Sequence, residues 1–132
     1  MKLLLDTHVL LWYLLGDSRL TDRVREIVDA KTDLHFSIAS LWEISIKVNL
    51  GKLQLNRSFQ ELLEELDFIN AEFLQISIED TQTYMNLPLL QQHRDPFDRM
   101  LIAQAINHSL AIVSSDRAFD HYEIQRVWSE KL

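Results

Sequence analysis

Two hydrophobic rhythms alternate along the chain. "MKLLL" (1–5) and "LAIVSS" (110–115) are short apolar runs without polar alternation, the pattern of strands covered on both faces inside a parallel sheet. "LHFS" (34–37), "FLQIS" (73–77) and "IQRVW" (124–128) are weaker strand candidates, the last suited to a sheet edge. Between them, apolar positions recur at helical spacing over 9–15, 21–30, 38–50, 58–69, 79–87 and 96–108. Three of these helices carry start signals. Thr21 precedes "DRVREIV", Ser37 precedes "IASLWEISI", and Ser58 precedes "FQELLEEL" with Glu61 three residues on. Strand followed by helix predicts an α/β fold: an α/β/α sandwich whose central, mainly parallel sheet of four to five strands is flanked by helices. The length of 132 residues suits a single domain spanning 1–132.

Two segments have unusual apolar content. In the 38–50 helix, Ile38, Leu41, Trp42, Ile46, Val48 and Leu50 project around most of the circumference and leave Ser40, Glu43 and Lys47 as a narrow polar stripe. This predicts a helix buried on nearly all sides, with Glu43 facing a restricted place. "VLLWYLL" (9–15) has more large apolar residues than one small helix normally buries, which core packing or a dimer or partner surface would explain.

Composition narrows the function classes. With 47% hydrophobic and 25% charged residues, two prolines and two glycines, the chain is neither a linker nor disordered. The absence of cysteine excludes a disulfide framework, a thiolate nucleophile and a Cys-based zinc site, and fits the cytoplasm. The leucine-rich start resembles a signal peptide only superficially, because Asp6 and His8 interrupt it and no small-x-small site follows. No run approaches the roughly 18 apolar residues that cross a membrane. The formal charge is −7, yet it is unevenly spread: Glu61, Glu64, Glu65, Asp67, Glu72, Glu79 and Asp80 lie in a stretch without Lys or Arg, and the remainder is balanced. The net value therefore does not exclude a nucleic-acid partner.

Several chemistries are missing. Gly16 and Gly51 are too far apart for a phosphate-cradling loop, and neither G-x-S-x-G nor H-E-x-x-H occurs. Carboxylates remain. Asp6 and Asp116 follow the two strongest strand candidates, where an open parallel sheet places its ligands, and each reads either as a helix cap or as part of a hard-oxygen cation site. In "HRDPFDRMLIAQA" (93–105), Asp95 with Pro96 is a strong cap and first-turn pair. Asp98 either closes a weak capping box or points with Leu101, Ile102 and Ala105 toward the sheet, kept ionised by the helix dipole. Glu43 has a complete alternative explanation in an i, i+4 pair with Lys47.

"LLLDTHVLLW", Glu43 in "ASLWEISIK", "HRDPFDRMLIAQA" and "IVSSDRAFD", in this order and spacing, resemble the PIN domain from end to end, and in particular the VapC-like toxins of type II toxin–antitoxin pairs. The resemblance implies that Asp6, Glu43, Asp98 and Asp116 form one catalytic acidic cluster binding Mg²⁺ or Mn²⁺ in a metal-dependent endoribonuclease. It implies support from the hydroxyls of Thr7 and Ser114, and Arg99, beside Asp98, would meet a phosphate or pair with a neighbouring acid. RNA would be held by Lys47, Lys52, Arg57, Arg94, Arg99 and Arg117. Similar toxins form homodimers and are silenced by a small antitoxin, so a cytoplasmic homodimer with such a partner is expected. His8 and Arg99 depart from the common family pattern, which bears on the RNA target rather than on the metal cluster. The competing readings are a non-toxic RNA-processing nuclease, a silent binding module with the same fold, and an aspartyl phosphatase, which would need an acid where His8 stands.

Overall fold

A computed structural model describes residues 2–30 and 33–128. In chain order it contains β1 (Lys2–Leu5), α1 (Thr7–Leu15), α2 (Asp22–Asp29), β2 (Asp33–Ser37), α3 (Ile38–Asn49), α4 (Phe59–Phe68), β3 (Glu72–Leu74), α5 (Ile78–Met85), α6 (Pro96–His108), β4 (Ala111–Val113), a 3₁₀ turn (Arg117–His121) and β5 (Arg126–Val127). The five strands form one sheet in the order β3-β2-β1-β4-β5, and every pairing is parallel. Leu3 is in register with Leu34 on one side and with Ala111 on the other. The strand read from "IQRVW" is indeed an edge strand.

The sheet separates two cores, and strand alternation decides which side chain enters which. Leu3 and Leu5 of β1 and Ala111 and Val113 of β4 face a core completed by α1, α2 and α4, with Val9, Leu10, Val24, Val28, Leu62 and Leu66. Leu4 and Ile112 face the other, completed by Leu101, Ile102 and Ala105 of α6 with Phe119 and Tyr122. Because both faces are covered there, β1 and β4 tolerate no polar alternation, which is why they read as continuous apolar runs. Each fully buried leucine stabilises the fold by roughly 1.5–3 kcal/mol relative to an exposed one. The run 9–15 belongs to the first core: Val9, Leu10, Leu11 and Leu14 are buried, while Trp12, Tyr13 and Leu15 pack against it.

The expected caps occur. Thr21 accepts from the Val24 amide, Ser37 from Ala39, and Ser58 closes a capping box with Glu61. A second capping box, Ser77 with Asp80, starts α5 at Ile78 and ends β3 at Leu74, so the strand is shorter than the 73–77 run. Gly16 takes the left-handed conformation (φ 66°) that closes α1.

The expectation that the 38–50 helix is buried on nearly all sides is corrected. Trp42 is 59% exposed and Leu50 60%, whereas the supposed polar stripe is the buried side, with Ser40 at 0% and Glu43 at 9%. The helix straddles the two cores, giving Ile44 to one and Ala39 to the other. Its small and polar face therefore meets the protein, and part of its apolar face lines open grooves. Among the described residues, no helix is long and apolar enough to cross a membrane.

Candidate metal centre

Parallel strands bring their carboxyl ends to one edge, and the expected acids come from segments that start there. Asp6 follows β1 and caps α1; the Val9 amide donates to its Oδ1 at 2.7 Å. Asp116 follows β4 and caps the 3₁₀ turn through the Ala118 amide at 2.9 Å. Ser37 is both the last residue of β2 and the cap of α3, which carries Glu43. Asp95 accepts from the Phe97 and Asp98 amides at 2.8 and 3.0 Å, and Pro96 opens α6. Asp98, one turn into the helix, does not spend its carboxylate on that cap: its Oδ2 lies 3.3 Å from Nε2 of His93.

Electrostatics couple Asp6 to Asp116 and Glu43, and Asp98 to Asp95 and Asp6, whereas the ligand atoms within mutual reach of one ion come from His93, Asp98 and Asp116 and leave out Asp6 and Glu43. Burial pushes the Asp6 carboxyl up from 3.8 to about 6; a hydrogen bond from Ser114 and the Val9 amide oppose this, while the charges of Asp116 and Glu43 add to it. Burial likewise pushes Asp98 up to about 7, with contributions from the charges of Asp95 and Asp6, against His93. Glu43 has Oε2 3.5 Å from Lys47 Nζ, the expected i, i+4 pair, but its Oε1 is buried without a hydrogen-bond partner. Ligand atoms of His93, Asp98 and Asp116 all lie within 4.8 Å of one another, close enough to share an ion. Capping and clustering are therefore compatible, because an N-cap uses one oxygen of a carboxylate that has two.

The hydroxyls tie these elements together. Thr7 Oγ1 is 2.9 Å from Ser40 Oγ, joining the start of α1 to α3. The Ser114 hydroxyl accepts from the Asp116 amide at 3.0 Å and bonds the Asp6 carboxylate, linking two of the acids. Arg99 requires a correction. It is not at an exposed helix start; it is 5% exposed, and its Nη1 donates to the Pro88 carbonyl (2.9 Å) and to the Tyr122 hydroxyl (3.1 Å), with the guanidinium over the Tyr84 ring. One residue beyond Asp98 turns the side chain by about 100° around the helix, away from the acids. Lys47 and Arg57 are engaged with Glu43 and Glu65, at 3.5 and 3.0 Å, whereas Lys52, Arg94 and Arg117 are exposed.

His93 is the residue that sequence reasoning passed over, although it begins the "HRDPFDRMLIAQA" string. Its ring is buried between Phe119 and Tyr122, 5.5 and 5.4 Å between centroids, and Nδ1 lies 2.9 Å from the Tyr122 hydroxyl. The available signal was its position five residues before Asp98, across the Asp95–Pro96 cap.

The carboxylate oxygens of Asp98 and Asp116, with the buried, unpartnered Oε1 of Glu43 on α3, suit a hard divalent cation. Similar folds occur among solved structures. FitAcB from Neisseria gonorrhoeae superposes with a TM-score of 0.71 at 20% identity, covering 98% of this chain and 99% of that one. The DNA-bound VapBC from Salmonella typhimurium gives 0.65 at 17% identity, covering 96% and 97%. VapBC2 from Rickettsia felis, bound to a DNA fragment from its promoter, gives 0.67 at 18%, covering 96% and 98%. No curated protein sequence matches the chain. The sequence pattern of the PIN domain matches residues 3–125, nearly the whole length, and the chain accordingly belongs to the PIN domain family.

Proposed function

We propose that this chain is a metal-dependent endoribonuclease and the toxin of a toxin–antitoxin pair, with Asp6, Glu43, Asp98 and Asp116 holding Mg²⁺ or Mn²⁺. The observation that carries the reading is the burial of these acids: Glu43, paired with Lys47 through Oε2, keeps Oε1 buried without a hydrogen-bond partner, and burial first, neighbouring carboxylates second, pushes Asp6 and Asp98 up to about 6 and about 7. Carboxylates gathered in this way repel unless protons or a cation lie between them. When bound, a divalent ion supplies an activated water and charge stabilisation at the phosphate oxygens. The chain's own part is to hold the oxygens still, through the Val9 and Ala118 amides, the Ser114 hydroxyl and the His93 ring. No protein nucleophile is needed, which agrees with the missing serine and cysteine motifs.

Exposed Arg94 and Arg117, next to His93 and Asp116 in the chain, and exposed Lys52 support a role in holding an RNA backbone. An antitoxin partner is supported by the toxin–antitoxin complexes among the structural neighbours and by an apolar groove of about 430 Å³ lined by Phe36, Leu41, Trp42, Phe59, Leu63 and Phe73. The largely exposed Ile78, Met85 and Leu89 support a homodimer. The cytoplasm is the compartment in which such a protein meets RNA.

Purified protein is expected to cut a structured RNA with Mn²⁺ or Mg²⁺ and to stop in chelator. Asp6→Asn and Asp116→Asn are expected to lose cleavage with unchanged circular dichroism. An absence of cutting with either metal, or full cutting by those variants, overturns the nuclease reading. Expression with and without the neighbouring small gene tests the toxin: growth arrest relieved by the neighbour supports it. Cleavage without toxicity assigns an RNA-processing enzyme, and RNA binding without cleavage assigns a binding module.

A further inference from the structure

His93 touches the acidic cluster without being an acid, and its two ring nitrogens have different partners. Nε2 faces Asp98 Oδ2 at 3.3 Å and Nδ1 faces the Tyr122 hydroxyl at 2.9 Å. The same hydroxyl lies 3.1 Å from Arg99 Nη1. The directions of these bonds follow from what each group can do. A guanidinium only donates, so Arg99 donates to the Tyr122 oxygen. The hydroxyl has one proton of its own, and the neighbour it can give it to is His93 Nδ1. A neutral imidazole that accepts at Nδ1 carries its proton on Nε2, and that proton points at Asp98. The chain of donors runs Arg99, Tyr122, His93, Asp98, from a fixed positive charge to a carboxylate. An imidazolium would also donate at Nε2, so this contact does not depend on the protonation state of the ring. Toward an ionised Asp98, the form that holds a cation, only the neutral tautomer with its proton on Nδ1 would set an Nε2 lone pair against an acceptor.

The surroundings make the ring a rigid support. Edge contacts with Phe119 and Tyr122 fix its plane, its backbone amide donates to the Leu90 carbonyl at 3.2 Å, and Arg99 also clamps the Pro88 carbonyl of the same segment. The segment between α5 and α6 is thereby fastened to the first turn of α6 and to the turn after the 3₁₀ element.

We propose that His93 is a positioning residue, oriented by Tyr122 and Arg99, which fixes the Asp98 carboxylate for the divalent ion through an Nε2–H donor and is not itself a ligand. The inference rests on the reading of the cluster as a divalent-ion site. Proximity alone would allow the opposite, since the His93, Asp98 and Asp116 donor atoms fall within 4.8 Å of one another. With the Tyr122 proton given to Nδ1, the neutral ring carries its own proton on Nε2, where a ligand would need a lone pair.

The test uses Mn²⁺ as the probe on the full chain. Free Mn²⁺ measured by electron paramagnetic resonance is expected to show binding weakened by about 10- to 100-fold in His93→Ala, the usual cost of losing a partner that orients a ligand. His93→Gln, whose amide N–H can reach the Nε2 position, is expected to recover most of that loss. Tyr122→Phe removes a single oxygen, keeps the ring packing, and is expected to weaken binding by about tenfold, the low end of the range for such supports. Pulsed resonance on the wild-type complex is expected to show no directly coordinated imidazole nitrogen. A coordinated-nitrogen signal overturns the proposal in favour of a ligand, and so does wild-type affinity in both His93→Ala and Tyr122→Phe. If His93→Ala fails to fold, Tyr122→Phe and the wild-type spectrum still decide. Failure of the wild-type chain to bind Mn²⁺ overturns the underlying metal site as well, and is thus distinguishable from failure of the positioning role alone.

Discussion

Asp98→Asn should stabilise the metal-free protein while destroying its response to metal. Burial and the nearby Asp95 and Asp6 charges push the Asp98 carboxyl from 3.8 up to about 7. Between those values the folded protein retains a proton that the unfolded chain has released, so stability falls as pH rises from about 4 to 7 and is level on either side. The gap corresponds to a ceiling of about 4 kcal/mol at pH 8. Relaxation and water penetration around an ionised Asp98 reduce the recoverable part to about 2 kcal/mol, or about 8 °C in Tm for a chain of this length. Asparagine keeps an oxygen for the His93 donor and adds an amide facing carboxylates, so no buried donor is lost. Urea denaturation in chelator at pH 4.5 and pH 8 measures the effect: the variant is expected to exceed wild type at pH 8, with the difference reduced to about a quarter at pH 4.5. Adding Mn²⁺ at 100 times its dissociation constant should raise wild type by about 2.7 kcal/mol and the variant much less, which reverses their order. A variant less stable than wild type at pH 8 without metal, or a gain independent of pH, would refute the reasoning.

Asp95→Ala removes a cap from two amides and is expected to cost about 1 kcal/mol in urea denaturation while leaving Mn²⁺ affinity nearly unchanged. Ile112→Ala, at a fully buried site on β4, is expected to cost about 2–5 kcal/mol in the same assay, because the covered sheet cannot collapse into the space. Ser109 closes α6 with φ 54°, a conformation glycine adopts without strain, so Ser109→Gly is expected to raise stability by about 0.5–1 kcal/mol, read as a higher Tm.

The parts of this molecule that were legible beforehand are those set by local patterns. Leu3, Leu4 and Leu5 announce a strand covered on both sides, and Asp95–Pro96 announces where α6 begins. The features that were not legible depend on what meets a helix from elsewhere. A projection of α3 assumes one wet side and one dry side, whereas this helix straddles two cores, so Ser40 and Glu43 are buried and Trp42 is not. Arg99 looked available because it stands beside an acid; its actual partners, Pro88 and Tyr122, come from segments without periodic pattern. His93 was hidden for the same reason, since Tyr122 lies 29 residues away. For Asp6 and Asp116 the choice between cap and cluster had no local answer, because a capping carboxylate still has a second oxygen.

The strand order has a consequence for how the molecule comes into being. β1 is made before its neighbours yet lies at the middle of the sheet, and Leu3 waits for a partner as distant as Ala111. Pairings of that span pay their loop-closure entropy before any contact rewards it, which slows folding. Asp6 is therefore made long before Asp98 and Asp116, and Asp116, which follows β4, reaches it only once β4 lies along β1. A growing or truncated chain that ends before β4 displays an open edge on β1 and lacks Asp116 altogether, so the carboxyl ends of the strands are complete only when nearly the whole fold is in place.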